Sequence, residues 1–166
     1  MIDERKVMAA IELGIAKGLV DVQLVTSKVV RSMLSQPGTG RIYRIAKGKK
    51  NGRNLRAKGL HRASAPGRPP AVNTNRLRAS WAVSARATGS TIEGDKGTED
   101  SILRTRVAPG RLGFEYGSNV PYARFLEYGT RRMRKRPYIT PVMAKVSPRI
   151  AEIVAKGIRS QLRASR

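Results

Sequence analysis

From Ile2 to about Leu34 the apolar residues Val7, Ile11, Ile15, Val22, Val25, Val29 and Met33 recur at spacings of three, four and seven. That period predicts one long amphipathic helix. Gly14 and Gly18 stand one turn apart near the apolar face. Each weakens an isolated helix by about 1 kcal/mol relative to alanine, so close packing against another element is their expected reason. Pro37-Gly38 is the expected stop.

The period then vanishes. Residues 36–75 are dominated by Gly, Pro, Lys and Arg, with no apolar repeat of either kind over more than a few positions. The expectation is an extended basic arm or loop within a single domain spanning 1–166. A structureless stretch of that length is uncommon in a compact domain, so ordering by a partner is expected. Beyond it, Leu77, Ala79, Trp81, Val83 and Ala85 alternate with Arg76, Arg78, Ser80 and Ser84, which predicts a half-buried strand. An acidic-leaning turn from Glu93 to Asp100, strands over Ile102–Val107 and Leu112–Tyr116, and a Pro109-Gly110 turn between them follow. Together they predict a small antiparallel sheet of three or four strands.

Pro121 to Tyr128 reads as a short helix with Tyr122, Phe125 and Leu126 turned inward and Gly129 closing it. Thr140-Pro141 then places a cap and a first-turn proline ahead of an amphipathic helix carrying Val142, Met143, Val146, Ile150, Ile153, Val154, Ile158 and Leu162, with Pro148 placed to bend or split it. The predicted class is α+β: a long N-terminal helix, a long basic arm, a small antiparallel sheet, a short helix and a C-terminal helix.

Charge changes this picture. The chain has 34 Lys plus Arg against 11 Asp plus Glu, a net charge of +23 over 166 residues. Such an excess opposes compaction and calls for an anionic partner: nucleic acid first, with a membrane surface or acidic protein faces as rivals. Between Val22 and Ile92 there is no acidic residue, while Lys28, Arg31, Arg41, Arg44, Lys47, Lys49, Lys50, Arg53, Arg56, Lys58, Arg62, Arg68, Arg76, Arg78 and Arg86 fall in that span. A Gly-rich arm without a helical period suits lying along phosphates or an acidic surface, not inserting a recognition helix in a groove. Arg41, Arg44, Lys47, Lys49, Lys50, Arg53, Arg56, Lys58 and Arg62 are therefore the candidate contacts to DNA or an acidic partner. Tyr43 is the one aromatic of the arm, which makes stacking on single strands a weak reading. The plain alternative is a solvated loop with no partner, against which stands a second basic block, Arg131, Arg132, Arg134, Lys135 and Arg136.

Candidate chemistry is sparse. With no Cys and His61 as the single histidine, thiolate chemistry, His-based triads and paired imidazole ligands are excluded by inventory. Glu93, Asp95, Glu99 and Asp100 read as solvated turn residues. Gly38-Thr39-Gly40 lacks the following Gly-Lys-Ser/Thr of a phosphate loop. No catalytic residue, metal or cofactor is expected. No apolar run reaches the about 18 residues of a membrane span, and the N-terminus is charged from Asp3, unlike a signal peptide. The expectation is a chain kept in cytoplasm-like solution, with no membrane partner.

Three segments, in order, resemble the tail-completion or head-tail joining family of long-tailed bacteriophages. The first is Gly40-Arg41-Ile42-Tyr43-Arg44 with the stretch from His61 through Pro66-Gly67-Arg68-Pro69-Pro70 to Ser80. The second is Tyr122-Ala123-Arg124-Phe125-Leu126-Glu127-Tyr128-Gly129-Thr130, and the third Arg136-Pro137-Tyr138-Ile139-Thr140-Pro141. The chain departs from the family pattern at Asn73-Thr74-Asn75, where Asp-Thr-Gly is usual, at Arg68, where an acidic residue is common, and in a longer stretch from Ala46 to Leu60.

The resemblance implies a ring-forming α+β subunit at the junction of the DNA-filled head and the tail, a virion protein passing through the host cytoplasm during assembly. Its implied partners are further copies of itself, the head-tail connector, tail-tube or terminator proteins, and double-stranded DNA in the lumen. The proline-rich strap has few backbone donors and suits lying against another subunit without forming an edge strand. Glu127 has cations nearby to pair with, on its own chain or the next. Pro66, Gly67, Pro69, Pro70, Tyr122, Glu127, Gly129, Thr130, Arg136 and Pro137 are thus candidate subunit-interface residues, unless both motifs only hold the monomer's own fold. A free-standing, sequence-independent nucleic-acid-binding protein is the alternative; an enzyme rests on nothing beyond charge.

Overall fold

The computed structural model describes residues 3–44, 49–50, 53–54, 59–73, 75–88, 91–108 and 111–165. Its spine is helix α1, Glu4–Leu34, opened by the Asp3 carboxylate, which accepts from the backbone N–H groups of Arg5 and Lys6. The helix stops at Ser35, ahead of Pro37, whose ring restricts the residue before it to extended conformations.

The two glycines of α1 have the expected reason. Helix α5, Ile150–Ala164, runs antiparallel along the first half of α1, with Gly18 against Val154 and Gly14 against Ile158. A Cβ on Gly14 would come within 2.5 Å of the Ile158 backbone, and one on Gly18 within 2.6 Å of that of Val154. Gly157 on α5 completes the seam: a Cβ there would meet the Gly14 carbonyl oxygen and, at 2.9 Å, the Gly18 nitrogen. Bare backbones let two helices approach more closely than any side chain permits, so dispersion contacts replace the lost helical propensity. Pro148 splits the C-terminal helical region as expected. Helix α4, Ile139–Val146, passes through one 3-10 turn, Ser147–Arg149, into α5.

The second half of α1 carries the main core. Val22, Val30 and Leu34 pack with Leu77, Trp81, Val120, Ala123, Tyr138, Val142 and Val146. Trp81 is its hub, meeting the Tyr116 and Tyr138 rings edge-on at centroid distances of 5.1 and 6.1 Å. The Trp81 carbonyl accepts from the Ser27 hydroxyl at 2.6 Å and from the Tyr116 hydroxyl. The expected inward side of Trp81 is correct, but its element is not the expected strand. Residues Arg76–Ser80 form a short helix, α2, and the strand begins later. Alternation over five residues is equally met by one helical turn with Leu77 and Ser80 inside, three apart.

The basic arm is more ordered than a loop. Ile42–Arg44 (β1) pairs antiparallel with Leu60–Arg62 (β4), in the register Ile42↔Arg62, Tyr43↔His61, Arg44↔Leu60, and Lys49–Lys50 (β2) with Arg53–Asn54 (β3). The described residues of the arm thus form two antiparallel strand pairs, together called the ribbon below, and the strands of its base pair, β1 and β4, are exposed on both faces apart from the partly covered His61. A strand without a buried face has no period to display in its sequence.

Two further hairpins follow. Val83–Thr88 (β5) pairs with Thr91–Lys96 (β6), and Ser101–Ala108 (β7) with Arg111–Ser118 (β8). Glu93 and Asp95 therefore lie in β6, not in a turn, while Pro109-Gly110 lies outside the described residues. The strands form separate two-stranded sheets where one sheet of three or four was expected. Each hairpin is closed at its open end by one further bond, the Gly97 N–H donating to the Ala82 carbonyl in the first and the Asn119 N–H to the Asp100 carbonyl in the second. Short helix α3, Ala123–Tyr128, then leads back to α4.

Candidate partner interface

Two neighbouring features answer to the sequence motifs: the ribbon, and a cleft walled by the strap that follows it. The ribbon's base is fastened to that strap. The Gly40 N–H donates to the Ala63 carbonyl at 2.7 Å, the Ala63 N–H to the Arg41 carbonyl at 3.0 Å, and the Ala65 N–H to the Thr39 hydroxyl at 3.3 Å. Gly38 leaves no room for a Cβ against the Arg62 carbonyl. Arg41, Arg44 and Arg62 are exposed, and the Arg41 guanidinium lies 5.7 Å from the centre of the Tyr43 ring. Lys49, Lys50 and Arg53 belong to the inner pair of strands, β2 and β3. Lys47, Arg56 and Lys58 lie outside the described residues. Ile42, Tyr43 and Leu60 are exposed with the cations, Leu60 at 69%.

The strap turns at Pro66-Gly67. Gly67 is left-handed at φ 79, and the Arg68 N–H donates to the Ala65 carbonyl, the arrangement of a type II turn with proline first and glycine second. Asn75 is also left-handed, at φ 63. Asparagine is among the few residues other than glycine that tolerate this conformation.

The remaining motif segments close on this strap. The Gly67 N–H donates to the Lys135 carbonyl at 3.0 Å, and the Arg136 side chain donates from Nε to the Ser64 carbonyl at 3.2 Å. The Arg136 backbone N–H donates to the Leu126 carbonyl at 2.7 Å. Gly129 ends α3 at φ 80, where a Cβ would sit 2.8 Å from the Met133 carbonyl oxygen. Thr130 then bridges to Met133, its hydroxyl accepting from the N–H groups of Arg132 and Met133. Gly67, Gly129, Thr130 and Arg136 thus hold this chain's own turns. Pro66 is exposed, Pro69 and Pro137 are partly covered and Pro70 is buried.

Glu127 takes a role other than the expected ion pair. It is 4% exposed and caps α4 from outside that helix: Oε2 accepts from the N–H groups of Tyr138 (2.7 Å) and Ile139 (2.9 Å). Oε1 accepts from the N–H (2.9 Å) and hydroxyl (2.7 Å) of Thr140. Burial pushes its carboxyl up, but these four donors outweigh burial and hold it below the ordinary carboxylate value. The positive end of the α4 dipole acts in the same direction. Thr140 is therefore a donor to Glu127 and not itself the cap, and Tyr138 stands at the cap position.

Helix α3 buries Ala123 and Glu127, and not its aromatics. Tyr122 (37%), Phe125 (40%) and Tyr128 (82%) remain exposed, with the Arg124 guanidinium 4.8 Å from the centre of the Phe125 ring. Of the three residues expected inside, only Leu126 packs against the core. Met143, expected inward on α4, is also exposed.

Between strap, α3 and Arg136 lies a cleft of about 310 Å³. Its walls include Leu34, Pro70, Val72, Leu77 and Leu126, with His61, Asn73, Asn75, Arg78, Tyr122 and Arg136 also lining it. The Arg78 guanidinium is held by neutral oxygens, Nε donating to Asn75 Oδ1 at 2.7 Å and Nη1 to Ser35 Oγ at 3.1 Å. Among the described residues, no carboxylate pairs with Arg78 or Arg136, whereas nearby Arg76 binds Asp100 through two hydrogen bonds of 2.6 and 2.8 Å. Sequence reasoning singled out Arg136 but missed Arg78 as a lining residue; its place in the first motif segment was the available signal. Among the described residues no group of three His, Cys, Asp or Glu side chains is placed to hold a metal ion, and no helix is long and apolar enough to cross a membrane.

No protein-family model, curated protein or solved structure matches the chain.

Proposed function

We propose that this chain is a structural virion protein of a tailed phage, acting in tail completion or head-tail joining at the neck, between connector and tail tube, as a subunit of an oligomeric ring and not as an enzyme. One observation carries the reading. The three segments that bear the resemblance, far apart in sequence, meet around a single cleft beside an exposed basic ribbon. A cationic ribbon suits contact with DNA passing through a ring, or with acidic faces of a neighbouring subunit. The exposed Tyr122, which lines the cleft together with His61, and the exposed Phe125 and Tyr128 add aromatic surface of the kind found in protein contacts.

The test is electron microscopy of lysates from a phage carrying a deletion of this reading frame. The expected result is filled heads lying separate from tails. Normal infectious particles overturn the joining role.

A second reading, sequence-independent nucleic-acid binding by the isolated chain, is favoured by the outward Arg41, Arg44 and Arg62 of the ribbon. It expects duplex affinity that falls steeply with salt and is indifferent to sequence. Affinity at physiological salt no better than that of a scrambled basic peptide removes it.

A further inference from the structure

We infer that the strap-walled cleft is a docking site for a short acidic, leucine-bearing peptide segment of a partner protein. The partner's leucines enter between Leu77, Leu126 and Pro70, and its carboxylates pair with Arg78 and Arg136. This deepens the joining role by giving the chemistry of the neighbour, and it rests on that reading only for which protein supplies the segment.

Charge complementarity selects the occupant. The cleft presents two arginines already fixed in place, Arg78 by Asn75 and Ser35, and Arg136 by the Ser64 carbonyl. All of these anchors are neutral, so no carboxylate offsets either positive charge, and among the described residues no acidic one lines the cleft. An arginine pre-positioned by neutral acceptors gives up less conformational freedom on binding a carboxylate than a free one does. Arg76 shows the contrast within one motif: its guanidinium is already occupied by Asp100.

Shape decides between a peptide and a nucleic acid. A volume of about 310 Å³ is at the small end of ligand clefts and takes one or two side chains, not a duplex. Aliphatic walls of Leu77, Leu126 and Pro70 favour leucine, whereas phosphates would leave those walls without a partner. Nucleic acid has a better surface on this molecule in the exposed cations of the ribbon.

The probe is the fluorescein-labelled hexapeptide Glu-Asp-Leu-Leu-Asp-Glu, titrated by anisotropy against the full chain in 150 mM salt. Replacing both cleft arginines, R78Q with R136Q, is expected to weaken binding by roughly tenfold or more, the factor that losing charge-assisted hydrogen bonds implies. The ribbon pair R44Q with R62Q, which removes the same charge, is expected to change it by less than about twofold. Since Arg136 also ties the strap, A71W serves as a second variant: Ala71 lines the cleft, so the indole occupies its space while both arginines remain, and it is expected to abolish binding. Far-UV circular dichroism of each variant checks that it is folded.

Equal binding of Glu-Asp-Ser-Ser-Asp-Glu overturns the inference, because it shows attraction by charge alone. So does equal weakening by the ribbon and cleft pairs, or displacement of the peptide by a duplex whose own binding A71W removes. Peptide binding is read on the isolated chain and joining in lysates, so either result stands when the other fails.

Discussion

Glu127 and Arg62 lie on adjoining parts of the molecule and meet opposite treatment. The carboxylate of Glu127 is buried and accepts four hydrogen bonds from the start of α4. The guanidinium of Arg62 lies on an exposed ribbon in a stretch of more than seventy residues with no acidic side chain. In the body two anomalies are resolved internally: the buried charge of Glu127 by a helix end, and the helical glycines by a helix crossing. On the ribbon the anomalies are left outward, where exposed Ile42, Tyr43 and Leu60 accompany the cations. The first arrangement contributes to the stability of the fold, and the second contributes little to it. Three perturbations test the contrast.

The largest effect is expected at Glu127. Glu127→Ala leaves three N–H groups at the start of α4 without their acceptor in a covered position. It is expected to destabilise the fold by about 3 kcal/mol, above the usual range for a lost cap because the acceptor is charged and buried. Chemical denaturation reads this. The pH dependence is specific. The folded carboxyl is held below its ordinary 4.5, so its contribution is complete above that value and disappears as pH falls through the lower folded one. Glu127→Gln keeps one acceptor and is expected to lose that part of the acid dependence. An acid limb identical to that of the parent protein assigns the effect to other carboxylates.

The second effect concerns the glycine seam, and its sign decides. At a helix position glycine-to-alanine normally stabilises by about 1 kcal/mol. At Gly157 the new methyl meets the Gly14 carbonyl and the Gly18 nitrogen, both backbone atoms that cannot swing aside. Overpacking of about 1–3 kcal/mol outweighs the propensity gain. Gly157→Ala is therefore expected to lower the melting temperature by several degrees, at roughly 2–4 °C per kcal/mol for a chain of this size. A rise in melting temperature separates α5 from α1.

How far these features were legible in the sequence follows the same division. The α1 period, the split at Pro148 and the strands after Ser101 follow from local chemistry and were readable, and Gly14 and Gly18 announced a close helix contact without naming the partner helix. The Glu127 cap was not, because acceptor and donors are eleven to thirteen residues apart and meet only when α3 folds back on α4. The exposed aromatics of α3 were misplaced for a related reason: apolar residues at helical spacing predict a buried face, and a face kept open for a partner looks the same in sequence. The base of the ribbon was invisible because β1 and β4 have no buried residue to set a period. Of the candidate site, the motif segments were legible singly, while their meeting around one cleft depended on long-range contacts such as Arg136 to Ser64.

The smallest effect on stability, and the sharpest on binding, is expected on the ribbon. Replacing Arg41, Arg44 and Arg62 together by Gln removes exposed charges that have no described carboxylate partner, so the melting temperature is expected to stay unchanged. Duplex binding behaves differently. Each phosphate contact contributes about 0.9 to the slope of log affinity against log salt. If all three arginines touch phosphates, the slope falls by roughly 2.7; if the ribbon meets protein instead, it stays as it was while assembly in lysates fails. The same variant thus separates a ribbon directed at DNA in a lumen from one directed at an acidic neighbour, and leaves the body of the molecule as an internal control for folding.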